Sequence, residues 1–307
     1  MKSEGEFKNR KDSNNNINFT LTYHPPYCWD KILQFLANRA IKGVELVKDD
    51  AYLRTVRLKN EKGNYFDGWV KVKNNSKKNS LMVTINESLL PVMAEIIAKL
   101  KCLFDLECDP FVIYETISSM NNIKPGLCVL GTRLPGCFDA FEMATRAVIG
   151  QQISVKAANT IASRIANTYG IPIETGIEGL SHSFPSSDDI LTLKGNIDDH
   201  LGVLGVTSIR AKAIYELAHL ISEKVICHDS CIKPEKEIKR LMAIRGIGSW
   251  TAQYIAMRTM RWTDAFLVTD LGIKKALAPY SPKEILKLAE TWQPWGSYAT
   301  INLWNSL

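Results

Sequence analysis

The chain has 307 residues, of which 46% are hydrophobic and 23% charged, and 38 Lys+Arg against 32 Asp+Glu give a net charge of +6. This balance supplies a sizeable core and excludes a wholly disordered chain, a collagen-like fibre and a coiled coil. No run reaches the ~18–20 apolar residues of a membrane helix, the polar first residues lack the apolar segment of a secretory signal, and the mild positive excess is by itself only weak support for an anionic partner.

Residues 1–17 are polar and rich in Asn and Lys, and a disordered tail is expected there. From residue 18 to about 87 the pattern is mostly strand-like. Segments 42–47, 51–58, 65–72 and 80–85 are short, rich in Val, Leu and aromatics, and separated by Asn/Lys/Gly/Asp turns. One helix, at about 29–40, interrupts them. After Ser88 the pattern becomes helical and stays so. Helices are expected over 89–104, 138–149, 154–169, 188–193, 208–223, 235–242, 249–260, 271–278, 282–292 and 297–304, with a loop at 127–135. In the helix at 282–292, Ile285, Leu288, Ala289 and Trp292 fall at i, i+3, i+4 and i+7, one amphipathic face. The fold class is therefore α+β: an N-terminal antiparallel sheet module with helices, followed by a large all-helical part.

The seven cysteines are odd in number, form no CxxC, and scatter through apolar stretches. They read as free thiols in a reducing, intracellular compartment. Cys227, His228 and Cys231 form the one cluster of metal-ligand type. No second ligand pair follows it, so no metal site is expected.

The stretch LMAIRGIGSWTA at 241–252 carries most information. A helix ends, a tight hairpin places two glycines around Ile247, and a second helix begins. Gly246 and Gly248 permit positive φ and leave no Cβ against a neighbour. The first amides of the second helix point outwards and suit an anion such as a DNA phosphate. Taken alone, the hairpin is equally a Gly-capped turn between two packed helices. Residues 231–275, however, hold nine basic side chains and four acidic ones, an excess of five that is nearly the whole chain's. A basic surface around an amide-lined hairpin fits a phosphodiester backbone.

This stretch resembles the helix-hairpin-helix element of the DNA glycosylase superfamily, and the chain after residue 17 is similar to the family of bacterial DNA-3-methyladenine glycosylase II. The landmarks are PPYCW at 25–29, LPGCFDAFE at 134–142, IGQQISV at 149–155, GIGSWTA at 246–252 and WQPWGSYA at 292–299. The resemblance implies that Asp270, 20 residues after Trp250, is the catalytic aspartate. On the residues alone, Asp270 is an N-cap for the helix at 271, and both roles are compatible. Hydrolysis of an N-glycosidic bond builds positive charge on the deoxyribose. A fixed carboxylate stabilises that charge or handles the attacking water.

The resemblance further implies that Trp250, Tyr254, Trp304, Phe35 and Gln151 line a pocket for the damaged base. Trp250 and Tyr254, at i and i+4, share one helix face, and aromatic faces attract a cationic alkylated purine by ~0.5–2 kcal/mol each. Gln152 matches the wedge that fills the gap left by a flipped base, where bacterial members carry Leu. Leu271 and Asn305 stand where those members have tyrosines. Gly246, Ile247, Gly248 and Thr251 are expected to contact the DNA backbone. Trp250 occupies the position of the nucleophilic lysine of lyase-active members, so no Schiff base can form. No cysteine follows Cys231, so no iron–sulfur cluster is expected.

The expected protein is a monofunctional glycosylase that removes 3-methyladenine and 7-methylguanine from double-stranded DNA. It would act as a monomer, away from membranes, with no required cofactor and room for a monovalent cation at the hairpin in a DNA complex. A TATA-binding-protein-like module is expected at 18–110. One helical subdomain would combine 111–137 with 261–307, and another, ending in the hairpin element, would span 138–260. A bifunctional oxidised-guanine glycosylase/lyase and a non-enzymatic DNA-binding protein remain the alternative readings.

Overall fold

The computed structural model describes residues 10–11, 16–225 and 233–307. Cys227, His228 and Cys231 lie outside the described residues. Six strands form one antiparallel sheet: β1 (Arg10–Lys11), β2 (Ile17–Thr22), β3 (Glu45–Lys48), β4 (Ala51–Lys59), β5 (Tyr65–Asn75) and β6 (Ser80–Ile85), in the order β1-β2-β6-β5-β4-β3. Residues 1–17 are therefore not wholly a disordered tail. Arg10 and Lys11 pair with Asn18 and Ile17. Ile17 is in the core with Phe19 and Leu21, at the period of two that a half-buried strand requires. Polar composition hid this edge, because a two-residue strand of Arg and Lys gives no apolar alternation to read.

Helix α1 (Trp29–Ala37) lays Trp29, Ile32, Leu33, Phe35 and Leu36 into the core. It ends three residues earlier than its pattern predicts, which leaves Asn38 and Arg39 in the turn beyond it. The helix predicted from residue 89 opens instead as a 3₁₀ turn, Glu87–Val92, that contains Pro91. The α-helix α2 (Met93–Leu103) begins after it, as expected where a residue has no N–H to donate. Helix α3 (Pro110–Ile117), capped by Asp109, was not apparent from the apolar pattern.

Ten helices follow: α4 (Ala140–Ile149), α5 (Val155–Tyr169), α6 (Ser187–Leu191), α7 (Ile197–Gly202), α8 (Ser208–Ser222), α9 (Pro234–Ala243), α10 (Ser249–Thr259), α11 (Leu271–Ala276), α12 (Pro282–Glu290) and α13 (Gly296–Asn305). Most match the predicted helices to within a few residues; α7 was missed. α4 is the hub, packed on α5, α8 and α10, while α9 packs on α10 and α11 on α13. The predicted face of α12 is realised, with Ile285, Ala289 and Trp292 buried.

Between sheet and helices lies a buried charge network. Arg54 meets Glu142 at 2.8 Å, and Arg146 meets Glu45 at 3.0 Å and Glu142 at 3.2 Å. The Tyr52 hydroxyl donates to Glu45 at 2.6 Å. This network fixes α4, and with it one wall of the site, against the sheet. The five described cysteines are free, and burial pushes the thiols of Cys108, Cys128 and Cys137 up to about 12, which makes them poor nucleophiles.

Candidate active site

The hairpin between α9 and α10 forms as the two glycines and the isoleucine suggest, with a division of labour. Gly246 has φ +98°, and a Cβ there would meet Ile209 Cγ2 at 2.8 Å. Gly248 has φ −89°, an ordinary extended value, so its use is different. It is the N-cap of α10 and supplies no side chain, which leaves the first amides of that helix without a partner of their own. Ile247 does not fit the expected backbone contact. Its side chain is buried between the helices, and its N–H donates to the Ile244 carbonyl at 3.1 Å. It anchors the turn.

The basic surface also needs correction. Arg258 is buried, Arg240 pairs with Glu237, and Arg261 pairs with Asp105 and Glu107. Lys233, Lys236, Lys239, Arg245, Lys274 and Lys275 stay exposed.

A cavity of about 1050 Å³ opens beside the hairpin. Trp250, Tyr254, Trp304, Gln151, Gln152, Gly246, Gly248, Thr251 and Asp270 all contribute to its wall. Asp270 caps α11, accepting from the Ile273 amide at 3.1 Å. It also accepts from two indoles: Trp304 Nε1 donates to Oδ1 at 2.9 Å and Trp250 Nε1 to Oδ2 at 3.1 Å. Both carboxylate oxygens are thereby fixed by side chains from α13 and α10, elements far apart in the chain. Trp250 and Tyr254 stack, with centroids 5.1 Å apart and planes at 27°.

Phe35 is placed differently from the expectation. It lies behind Trp304, centroids 6.5 Å apart, and faces a neighbouring cavity of about 930 Å³ together with Asn305. Gln151 reaches the cavity wall, but its amide is spent on the hairpin, donating to the Gly246 carbonyl at 2.8 Å and the Thr251 hydroxyl at 3.0 Å. Gln152 stands exposed at the lip with φ +54°, and Leu271 beside it is 82% exposed.

Four contributors escaped the sequence reading. Arg39, Arg146 and Arg258 form the cavity's floor around Tyr254. Burial pushes the Tyr254 hydroxyl up, but the three guanidiniums outweigh it, and the net direction is downward. Arg258 donates to Tyr254 Oη at 2.9 Å and to the carbonyls of Pro135 and Gly136 at 2.5 and 2.8 Å. The fourth is Gly272, where a Cβ would meet Asp270 Oδ1 at 3.0 Å and Trp304 Cδ1 at 3.1 Å. Its signal was a glycine two residues after the candidate aspartate.

Residues 18–139 match the family described as AlkA N-terminal domain. The chain is 35% identical over 286 residues to DNA-3-methyladenine glycosylase 2 of Escherichia coli, covering 93% of this chain and 96% of that one. The chain belongs to this glycosylase family. Its fold agrees with a 3-methyladenine DNA glycosylase from Archaeoglobus fulgidus, with TM-score 0.76, 20% identity, and coverage of 93% of this chain and 97% of that one. It agrees also with an 8-oxoguanine glycosylase/lyase from Clostridium acetobutylicum in complex with double-stranded DNA, at TM-score 0.61, 19% identity, and 87% and 98% coverage. At such identity these two likenesses speak for the fold alone. Family membership accounts for the landmarks that the structure buries. In the last landmark, for example, Trp292 is in the core and the Tyr298 hydroxyl donates to Asp105 at 2.8 Å.

Proposed function

We propose that the protein hydrolyses the N-glycosidic bond of alkylated purines, 3-methyladenine and 7-methylguanine among them, in double-stranded DNA. The observation that carries this reading is Asp270, a carboxylate held by two indole N–H groups on the wall of a cavity whose rim carries the hairpin. The backbone phosphates sit on the first amides of α10 near Gly248 and on Thr251, and Gln152 fills the space of the flipped base. The base enters between the aromatic walls, and Asp270 faces the positive charge that develops on the sugar. Water is the nucleophile.

The product is an intact abasic site, because no lysine contributes to the cavity wall among the described residues. No cofactor enters this chemistry. A monovalent cation on the hairpin carbonyls would serve only the phosphate contact. The protein works as a monomer.

Release of 3-methyladenine and 7-methylguanine from methylated duplex DNA, by the wild type and Asp270→Asn side by side, tests the reading. Release should fall about 10²–10³-fold in the variant while DNA binding stays, the usual scale for removing one preorganised electrostatic group. Binding without release by the wild type would leave a binding-only protein. Strand cleavage with borohydride trapping would revive the lyase reading.

A further inference from the structure

The electrostatics of the cavity are not those of a site built only for cationic bases. Four guanidiniums (Arg39, Arg54, Arg146 and Arg258) gather under its floor, and two carboxylates, Glu45 and Glu142, offset them. Arg54 and Arg146 take up both carboxylates. Arg39 and Arg258 have no carboxylate partner among the described residues. Arg258 spends its donors on Tyr254 and two backbone carbonyls.

Arg39 is less committed. Its guanidinium lies 3.7 Å over the Phe35 ring and 6.0 Å from the Trp304 ring, makes one long bond, 3.4 Å, to the Phe35 carbonyl in the helix before it, and also bonds the Tyr254 hydroxyl. Arg146 in turn donates to the Arg39 carbonyl, which fixes the turn after α1. A guanidinium has five N–H donors. With the Phe35 carbonyl and the Tyr254 hydroxyl as its partners, Arg39 still brings spare donors, and a charge with no carboxylate partner among the described residues, to the cavity wall.

We propose that Arg39 is a specificity-determining residue that reads the charge of the flipped base: it binds an acceptor edge of a neutral damaged purine and holds the negative charge the base takes on as it leaves. The proposal rests on the glycosylase reading above and names what its pocket discriminates. When the C1′–N bond breaks, its electron pair goes to the base. A cationic base then departs neutral, and a neutral base departs as an anion. A water oxygen bonds to C1′ in both cases. The proton that water loses goes to solvent for the cationic base and ends on the base nitrogen for the neutral one, so one water is consumed per base released. Only the neutral base needs a cation beside it during the step, and a cationic base is repelled by it. The aromatic walls and Asp270 serve both.

The test uses two lesions with the same carbonyl edge and different charge, hypoxanthine (neutral) and 7-methylguanine (cationic), each in duplex DNA, under single-turnover conditions. The wild type should release both. Arg39→Gln should lower hypoxanthine release at least tenfold more than 7-methylguanine release, in the rate rather than in DNA affinity, as expected for loss of a charge-assisted bond. Arg39→Lys, which keeps the charge, should recover part of the difference. Equal losses for the two bases in both variants, or a lowered melting temperature that accounts for them, would show a structural role and overturn the proposal. So would a wild type that releases 7-methylguanine and leaves hypoxanthine untouched, with the glycosylase reading intact. A wild type that binds DNA and releases neither base would overturn that reading itself, and this proposal with it.

Discussion

Two of the helices that begin at the cavity, α10 and α11, differ in one respect at their N-caps. α11 begins at Asp270, whose carboxylate occupies the positive end of the helix by accepting from the Ile273 amide. α10 begins at Gly248, which offers no side chain, so its first amides stay open. A helix N-terminus attracts negative charge in both cases. In one the chain supplies the anion, and two indoles fix it. In the other the end is left bare, and the function proposed above gives it an anion that arrives with the DNA. On that proposal the same local physics gives a reaction centre and a docking point, according to what stands at a single position.

The difference between the two helix starts disappears if the bare end is filled. At Gly248 the backbone is extended and a Cβ would meet nothing within 4 Å, so Gly248→Asp fits without strain. The new carboxylate would cap α10 as Asp270 caps α11, and the fold should gain about 0.5–1 kcal/mol. DNA binding should weaken by about 10–100-fold, because the carboxylate takes the place of a phosphate and repels it. A raised melting temperature with unchanged DNA affinity, measured by titration at fixed salt, would sink the docking assignment. Gly246→Ala perturbs the same hairpin differently. Its φ of +98° strains any side chain and its Cβ would press on Ile209, so stability should fall by about 1–2 kcal/mol. Binding should fall by less than for the aspartate variant, since no charge is added.

How much of this was legible in the sequence follows from the range of each cause. The hairpin, the aspartate 20 residues after Trp250, the strand at Ser80–Ile85 and the face of α12 rest on local spacing, and they stood in the sequence. The short edge strand β1 and the short helix α7 have few apolar residues, and α3 carries apolar residues on its exposed side as well as its buried one, so periodicity passed over all three. The family resemblance named Phe35 as a pocket residue, but only the packing of α1 against α13 shows it behind Trp304. The arginine floor could not be read at all. Arg39, Arg146 and Arg258 come from three distant segments, and arginine is ordinarily a surface residue, so nothing local marks a side chain that the fold turns inward. Gly272 belongs to the same class: the reason for its lack of a side chain is an indole from α13.

That glycine bears on the capped helix start as Gly248 bears on the bare one. Trp250 and Trp304 hold the Asp270 carboxylate, and Trp304 reaches it across the surface that Gly272 leaves open. An alanine there would bring Cβ to 3.0 Å from Asp270 Oδ1 and 3.1–3.3 Å from the indole of Trp304. Contacts that tight oblige a neighbour to move by a few tenths of an ångström, and the indole N–H bond is what that motion stretches. The φ of Gly272 is not left-handed, so alanine costs little in backbone strain and raises helix propensity by roughly 0.5–1 kcal/mol. Gly272→Ala should therefore fold with near-normal stability, bind undamaged duplex DNA as the wild type does, and release 7-methylguanine several-fold more slowly. A matching Trp304→Phe change should add little to the alanine variant, because both act on the one hydrogen bond. Multiplying rather than overlapping losses in that double variant would mean that the indole serves the reaction through its face alone and that its N–H contact with Asp270 is incidental.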